Sequence, residues 1–339
     1  MLASLVAALA LSSCAAGSSK DPAPAPAPAG TAKWDAASGP ATFLSVTELG
    51  QLELRSSADG ALLKVIYPAS RAAYVSAARV AEDTLILAHS SACRATLEEV
   101  NTSTGHRRVI RTMGNVVSGL TVSPDGRTAA FVTTPAPCAT PSPPGSEGGT
   151  AADAFASFLP SVLAVTPLAG GPVVTAATDM PGHPLTHVSW SPDGTRIAAT
   201  YLGDTPQVLL FSASHPSFAT ASRLAAPTGC AYFFPVWTRA GLIVVKGCGP
   251  DPTLSPSALV RLAPGGKANA SWPLPDCING ITGAADASNT HVLLSLGVGY
   301  GTDVCDKGHV HRVVMLARQG LRVVLDVPYN REGLDVVDW

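Results

Sequence analysis

The tetrapeptide Ser-Pro-Asp-Gly occurs twice in this chain, each time in the same setting. Residues 120–132 read Leu-Thr-Val-Ser-Pro-Asp-Gly-Arg-Thr-Ala-Ala-Phe-Val, and residues 188–200 read Val-Ser-Trp-Ser-Pro-Asp-Gly-Thr-Arg-Ile-Ala-Ala-Thr. Both are strand, turn, strand. Pro suits the first central position of such a turn, Asp bonds nearby backbone, and Gly accepts a positive φ, so the four residues specify a reversal of the chain. Weaker copies follow at residues 233–245, with Trp237 in the place of Trp190, and at residues 281–296 around Asp286-Ala287-Ser288-Asn289. A more degenerate strand pair lies at residues 75–88. From Trp190 to Trp237 is 47 residues, and from Asp125 to Asp193 is 68. The excess falls in one Pro/Gly/Ser insertion, residues 134–158. Without it the period is roughly the 40–45 residues of a four-stranded propeller blade.

This spacing predicts an all-β fold with blades at residues 73–111, 115–177, 184–226, 230–274 and 278–326. No segment after residue 40 has the apolar period of an amphipathic helix. Two pieces remain, and they complete each other. Residues 42–66 read as three strands with turns at Gly50 and Asp59-Gly60, and residues 334–339 read as an innermost strand ending on Trp339. Pairing them closes a six-bladed β-propeller and removes the free sheet edges.

The Ser-Pro-Asp-Gly repeats resemble those of TolB-like six-bladed propellers, which are also described as WD-repeat-like or dipeptidyl-peptidase propeller-like. The resemblance covers nearly all of residues 41–339, and it implies a fold while leaving function open, because the motif builds turns. The Ala- and Pro-rich leader is similar to that of surface lipoproteins of high-GC Gram-positive bacteria.

Residues 2–11 are apolar over the length of a signal-peptide core and too short to span a bilayer. The following Leu11-Ser12-Ser13-Cys14 resembles a bacterial lipobox, although no Lys or Arg precedes it. Residues 1–14 are therefore expected to be a lipoprotein signal peptide, with Cys14 as the lipidated residue. Residues 15–40, rich in Ala and Pro, are expected to be a disordered tether with polyproline II character. The expected location is the outer face of the bacterial cell membrane, reached through the lipid anchor alone.

Six cysteines remain: Cys93, Cys138, Cys230, Cys248, Cys277 and Cys305. An even number in an exported chain favours disulfides. The blade register places Cys230 before the first strand of its blade and Cys248 after the second, and Cys277 and Cys305 occupy the same places one blade later. This predicts the pairs Cys230–Cys248 and Cys277–Cys305, leaving Cys93 with Cys138.

With 22 basic and 24 acidic side chains, and no basic cluster beyond Arg107, Arg108 and Arg111, a nucleic-acid partner has little electrostatic support and none is expected. No Gly-x-Ser-x-Gly elbow, phosphate loop, His-Glu-x-x-His or Cys-x-x-Cys occurs. No catalytic residue, cofactor or metal is assigned. The candidate binding residues are His183 and His187 at the start of blade 4, Tyr232 beside Cys230, Asn279, and the alternating pair His309 and His311. Phe233 and Phe234 are expected between blades, as are Trp190, Trp237 and Trp339. The expected function is a monomeric binding or scaffold module for a protein, peptide or envelope component. The alternatives are a hydrolase or lactonase-like propeller with a metal in the channel, for which Asn279, Glu332 and Asp335 are scattered candidates, and a purely structural envelope protein.

Overall fold

Among the described residues, the strands form six four-stranded antiparallel sheets. The structure, a computed structural model, describes residues 40–47, 50–68, 73–91, 94–133, 161–177, 183–253, 255–274, 278–285, 291–298, 310–317, 320–328 and 334–338. All belong to one compact unit, Ala36–Trp339. Among the described residues there is no α-helix, only a 3₁₀ turn at Phe218–Thr220.

Blade 1 takes β1 (Thr42–Thr47), β2 (Leu52–Ser56) and β3 (Leu62–Tyr67) from the N-terminal side. Blade 2 is β4 (Ala73–Ala81), β5 (Thr84–Ser91), β6 (Arg94–Asn101) and β7 (Arg107–Met113). Blade 3 is β8 (Val117–Val122), β9 (Thr128–Thr133), β10 (Val162–Pro167) and β11 (Val174–Ala177). Blade 4 is β12 (Leu185–Trp190), β13 (Arg196–Leu202), β14 (Pro206–Ser212) and β15 (Ser222–Arg223). Blade 5 is β16 (Cys230–Thr238), β17 (Gly241–Cys248), β18 (Pro256–Leu262) and β19 (Ala268–Pro273). Blade 6 is β20 (Ile278–Ala285), β21 (Val292–Val298), β22 (Val310–Ala317) and β23 (Gly320–Pro328). The last strand, β24 (Leu334–Asp338), leaves blade 6 and pairs with β1.

That pairing is the closure expected from the sequence. Its register sets Thr47 opposite Leu334, Val46 opposite Asp335, Ser45 opposite Val336 and Leu44 opposite Asp338. The innermost strands are β24, β4, β8, β12, β16 and β20, and each lies against the next around the ring, with β20 returning to β24.

The core is a set of wedges between blades. Leu44, Leu52, Ala77 and Leu87 fill the space between blades 1 and 2, and Ala88, Leu97, Phe131 and Ala164 fill that between blades 2 and 3. Trp190 joins Leu163, Ile197 and Phe211 between blades 3 and 4, and Trp237 joins Ala198, Val208 and Val244 between blades 4 and 5. Both tryptophans are therefore inter-blade core, as expected, and the Arg196 guanidinium adds a cation–π contact 4.9 Å from the Trp237 ring. Phe233, Leu259, Ile281 and Leu296 fill the wedge between blades 5 and 6. Small residues let facing sheets approach, and each buried large side chain gains about 1.5–3 kcal/mol. Phe131 is fully buried, and replacing it with Ala would cost about 3–5 kcal/mol.

The two Ser-Pro-Asp-Gly turns have one geometry. The Ser123 and Ser191 hydroxyls each donate to an Oδ1 of Asp125 and Asp193, at 2.6 Å in both, and accept the N–H of Thr128 and Arg196. Gly126 and Gly194 take φ values of 68° and 70°. This is a hairpin whose backbone donors are satisfied by the motif's own side chains.

Candidate functional site

The inner strands of blades 3, 4 and 5 share an irregularity that the repeat alignment places at one level. Pairing with the second strand breaks between Ser118 and Thr121 in blade 3, between Thr186 and Ser189 in blade 4, and between Phe233 and Val236 in blade 5. Each break is a bulge, and each holds one residue in the left-handed region: Gly119 at φ 58°, His187 at 51° and Phe234 at 52°. All three stand three residues before the Val122, Trp190 or Trp237 position. In blade 6 the pairing also breaks, between Ile278 and Gly280. A left-handed backbone suits Gly119 and costs a residue with a Cβ about 1–2 kcal/mol, so His187 and Phe234 hold their places against a local penalty. Bulges of this kind re-aim a side chain and recur beside functional sites.

Hydroxyls of the preceding blade accept backbone N–H groups within and beside the bulges. Thr200 of blade 4 accepts the Phe234 N–H at 2.9 Å, and Ser189 accepts the Trp237 N–H at 3.0 Å. Between blades 2 and 3, Ser76 accepts the Leu120 N–H at 3.0 Å and Ser90 the Val117 N–H at 3.1 Å. Ser161 does the same for the Leu185 N–H of blade 4. These hydroxyls, buried except for the half-buried Ser189, fix the inner strands relative to one another, since an unmet buried donor costs about 1–3 kcal/mol.

The outcome is a pair of rings from neighbouring blades. The His187 and Phe234 centroids are 3.7 Å apart, with the planes tilted by 47°. A Cβ built on Gly119 would lie 3.6 Å from the His187 backbone N, so the glycine borders the pair on the blade 3 side. Both rings are half-buried. The His187 Nδ1 is 2.8 Å from the Thr186 hydroxyl, and burial pushes the imidazole pKa down to about 3, which keeps the ring neutral at physiological pH. A neutral imidazole beside an aromatic ring offers one hydrogen-bonding nitrogen within an apolar surface.

The other candidates are distributed differently. His183 turns to its own blade, its Nδ1 lying 2.9 Å from the Tyr201 hydroxyl and its Nε2 3.7 Å from Oδ1 of the exposed Asp204. Tyr232 is 5% exposed and belongs to the wedge between blades 4 and 5, where burial raises the phenol pKa. Phe233 is buried in the next wedge, while Phe234 only borders it and meets His187. Asn279 and His311 occupy positions on β20 and β22, and Asp335 on β24, but their side chains lie outside the described residues. His309, Glu332, Trp339, Cys14, Cys93, Cys138, Cys277, Cys305 and the 134–158 insertion also lie outside them.

Cys230 and Cys248 form a disulfide. They are opposite each other as the first and last residues of β16 and β17, whereas the sequence suggested positions just beyond the strands. The ladder extends further because Gly229 and Gly249, at φ 76° and 114°, turn the chain immediately outside the bridge. Among the described residues, no group of three or more His, Cys, Asp or Glu side chains is placed to hold a metal ion.

No family model matches the sequence, and no curated protein does. Solved structures do match in shape. TolB from Acinetobacter baumannii superposes with a TM-score of 0.59 at 15% identity, over 87% of this chain and 64% of that one. This chain thus spans under two thirds of that protein. A TolB-type protein from Agrobacterium tumefaciens gives a TM-score of 0.55 at 14% identity, over 88% of this chain and 92% of that one. The fold has TolB-like neighbours. It is shared with an oligogalacturonate lyase solved in complex with manganese, with a TM-score of 0.52 at 13% identity over 80% of this chain and 70% of that one. At these identities, TolB and the lyase testify to the propeller and to nothing finer.

Proposed function

We propose that this propeller is a binding module that holds a protein or peptide against the channel wall of blades 4 and 5. On this reading, Cys14 anchors it to the outer face of the bacterial cell membrane and residues 15–40 hold it away from the lipid. The observation that carries the proposal is the His187–Phe234 pair. Two ring residues occupy left-handed backbone where the preceding blade uses glycine, at a cost that the fold does not require. Half-buried aromatic groups at such a point are the common anchors of recognition surfaces. The uncharged surroundings suit binding better than acid–base chemistry, which needs titratable groups near neutrality.

The test is crosslinking on intact membranes, followed by capture through the propeller. His187→Gly and Phe234→Gly keep the left-handed backbone and delete the rings. Partners recovered with the parent chain should fall at least tenfold with either variant. Undiminished recovery from both would overturn the reading. Metal retained after dialysis, together with hydrolysis of a test ester or lactone, would favour the channel-enzyme alternative. Cys14→Ala should release the protein from the membrane fraction, which tests the anchor separately.

A further inference from the structure

The outer strands of the blades are unequally exposed. Leu62, Leu63 and Val65, all on β3, are 49%, 55% and 42% exposed. Among the described residues, β7, β11 and β23 each show one exposed large apolar side chain, Val109, Val174 and Val323. β3 is also a sheet edge, paired with β2 alone. Charge commonly guards such an edge, and β7 carries three Arg. The one charged residue of β3, Lys64, is turned toward blade 2, where it donates to the Thr102 carbonyl at 2.5 Å. Three exposed aliphatic side chains therefore lie within four residues of one another on the rim of blade 1.

The chain that precedes the propeller joins it beside them. The Ala41 carbonyl accepts the Ser57 N–H at 2.9 Å, Thr42 lies opposite Ser56, and Leu62 lies opposite Arg55. The start of β1, the end of β2 and the start of β3 thus form one row across the blade, and two strand spacings put Ala41 about 10 Å from Leu62. Residues 15–40 would span about 30 Å as a coil and about 80 Å as extended polyproline II. With an anchor at Cys14, lipid is always within reach of this edge, at an effective concentration that a free partner does not share.

A second copy fits the edge less well. Two β3 strands joined edge to edge by a two-fold axis run antiparallel, so one propeller is inverted and the two Ala41 residues lie at opposite ends. Chains anchored in one leaflet would have to pass a tether around a whole blade to meet that way.

We infer that the β3 edge of blade 1 docks on the membrane surface, with Leu62, Leu63 and Val65 entering the interface and Lys64 exchanging the Thr102 carbonyl for headgroup phosphate. This rests on the lipid anchor in the reading above: the tether sets the largest stand-off, and the edge sets the resting pose. Docking by the rim leaves the channel, with the His187–Phe234 pair, open to a partner.

The experiment reconstitutes the full anchored chain on vesicles of equal parts phosphatidylcholine and phosphatidylglycerol, with or without brominated acyl chains, which quench nearby tryptophan. Leu63→Trp puts a reporter on the edge, and Val174→Trp puts one on blade 3. The fluorescence that Leu63→Trp adds to the parent signal should fall at least about twofold on brominated vesicles, because docked side chains lie at the headgroup–acyl boundary. That added by Val174→Trp should not change. Adding Leu62→Ser and Val65→Ser to Leu63→Trp should at least halve the quenching, with the same cooperative melting transition. Absence of quenching, or equal quenching of the two reporters, would overturn the inference. So would a doubled mass in sedimentation without vesicles that Leu62→Ser/Val65→Ser abolishes, since a second copy would then cover the edge. Cys14→Ala separates this from the anchor. Retention of that variant on native membranes would count against the anchor, whereas release of it together with an unquenched Leu63→Trp reporter in the anchored chain would count against docking alone.

Discussion

His187 of blade 4 and Phe234 of blade 5 meet ring to ring at 3.7 Å, each from a left-handed residue inside a strand bulge. Neither ring could reach this place from a regular strand, in which side chains alternate between the two faces of a blade. The bulge adds one residue and breaks the alternation, and the Phe234 ring meets His187 while still bordering the wedge between blades 5 and 6. Thr200 then holds the freed Phe234 N–H from the neighbouring blade.

This backbone makes an inverted order of stability at two positions. Elsewhere in a strand, glycine is worse than alanine by about 0.5–1 kcal/mol, because it loses more freedom on folding. At residues 187 and 234 the left-handed conformation penalises the alanine Cβ by about 1–2 kcal/mol. His187→Gly and Phe234→Gly should therefore be more stable than His187→Ala and Phe234→Ala, by about 1 kcal/mol in urea unfolding. The usual order at both sites would show that the bulges relax without cost.

Acid should expose the burial of His187. Its native pKa is pushed down to about 3, while an unfolded histidine titrates near 6.5, so the unfolded chain takes up a proton that the folded one refuses. The contribution is fully present above pH 6.5 and is lost as the pH falls toward 3, at up to about 1.4 kcal/mol per pH unit. Asparagine tolerates the left-handed region and does not titrate. His187→Asn should flatten the stability profile between pH 6.5 and 3, as measured by urea midpoints across that range.

Asp193 acts in a lower window. The Ser191 hydroxyl, and then the Thr195 N–H and hydroxyl, hold its carboxyl down to about 2. Its stabilisation is present above the ordinary value of 3.8 and disappears as the pH falls through 2. Asp193→Asn should therefore lower the urea midpoint at pH 6, and the gap to the parent protein should close by pH 2. An equal gap at both pH values would mean that the carboxylate charge plays no part in the turn.

The ring itself was legible in the sequence, and the reason lies in residues such as Pro124, Asp125 and Gly126. Turn chemistry is local, so four adjacent residues state their own conformation, and their spacing counts blades. Closure followed because Leu334–Asp338 had strand character and no partner nearby in sequence. The candidate site was only half legible. His187 stood out as a histidine in a strand, but its backbone depends on Ser161 holding Leu185 and on the pairing that breaks after Thr186. Phe234 does border the inter-blade wedge as expected, but its contact with His187 has no local signal, because nothing nearby reports that a Thr200 hydroxyl, 34 residues earlier, will hold its N–H. The available signal was alignment: Gly119 falls in the column of His187 and Phe234, and a glycine inside a strand marks a bulge.

The Cys230–Cys248 bridge should be worth about 3 kcal/mol on the chain-entropy account, for a sequence separation of 18. The double variant Cys230→Ser/Cys248→Ser should lower the unfolding free energy by about that amount in urea and keep the same fold. A loss below about 0.5 kcal/mol would mean that the ladder between β16 and β17 already holds this end of blade 5 without help.

Closure makes the strongest demand on the fold. β24 supplies the inner strand of blade 1, and its loss would bare the whole inner edge of β1 together with the apolar wedge of Leu44, Leu52 and Leu87. An open edge beside an exposed core pairs with whatever strand it meets, so deletion of residues 333–339 should give insoluble protein. A general loss of stability could produce the same result, and a permuted chain separates the two. Asp338 lies opposite Leu44, so a short turn can join the end of β24 directly to the start of β1 as a hairpin. Moving residues 334–339 in front of residue 42 through such a turn should restore a soluble propeller with one cooperative melting transition. A soluble, cooperative deletion variant would show that five blades and a three-stranded sixth suffice. An insoluble permutant would show that the closing strand must arrive last.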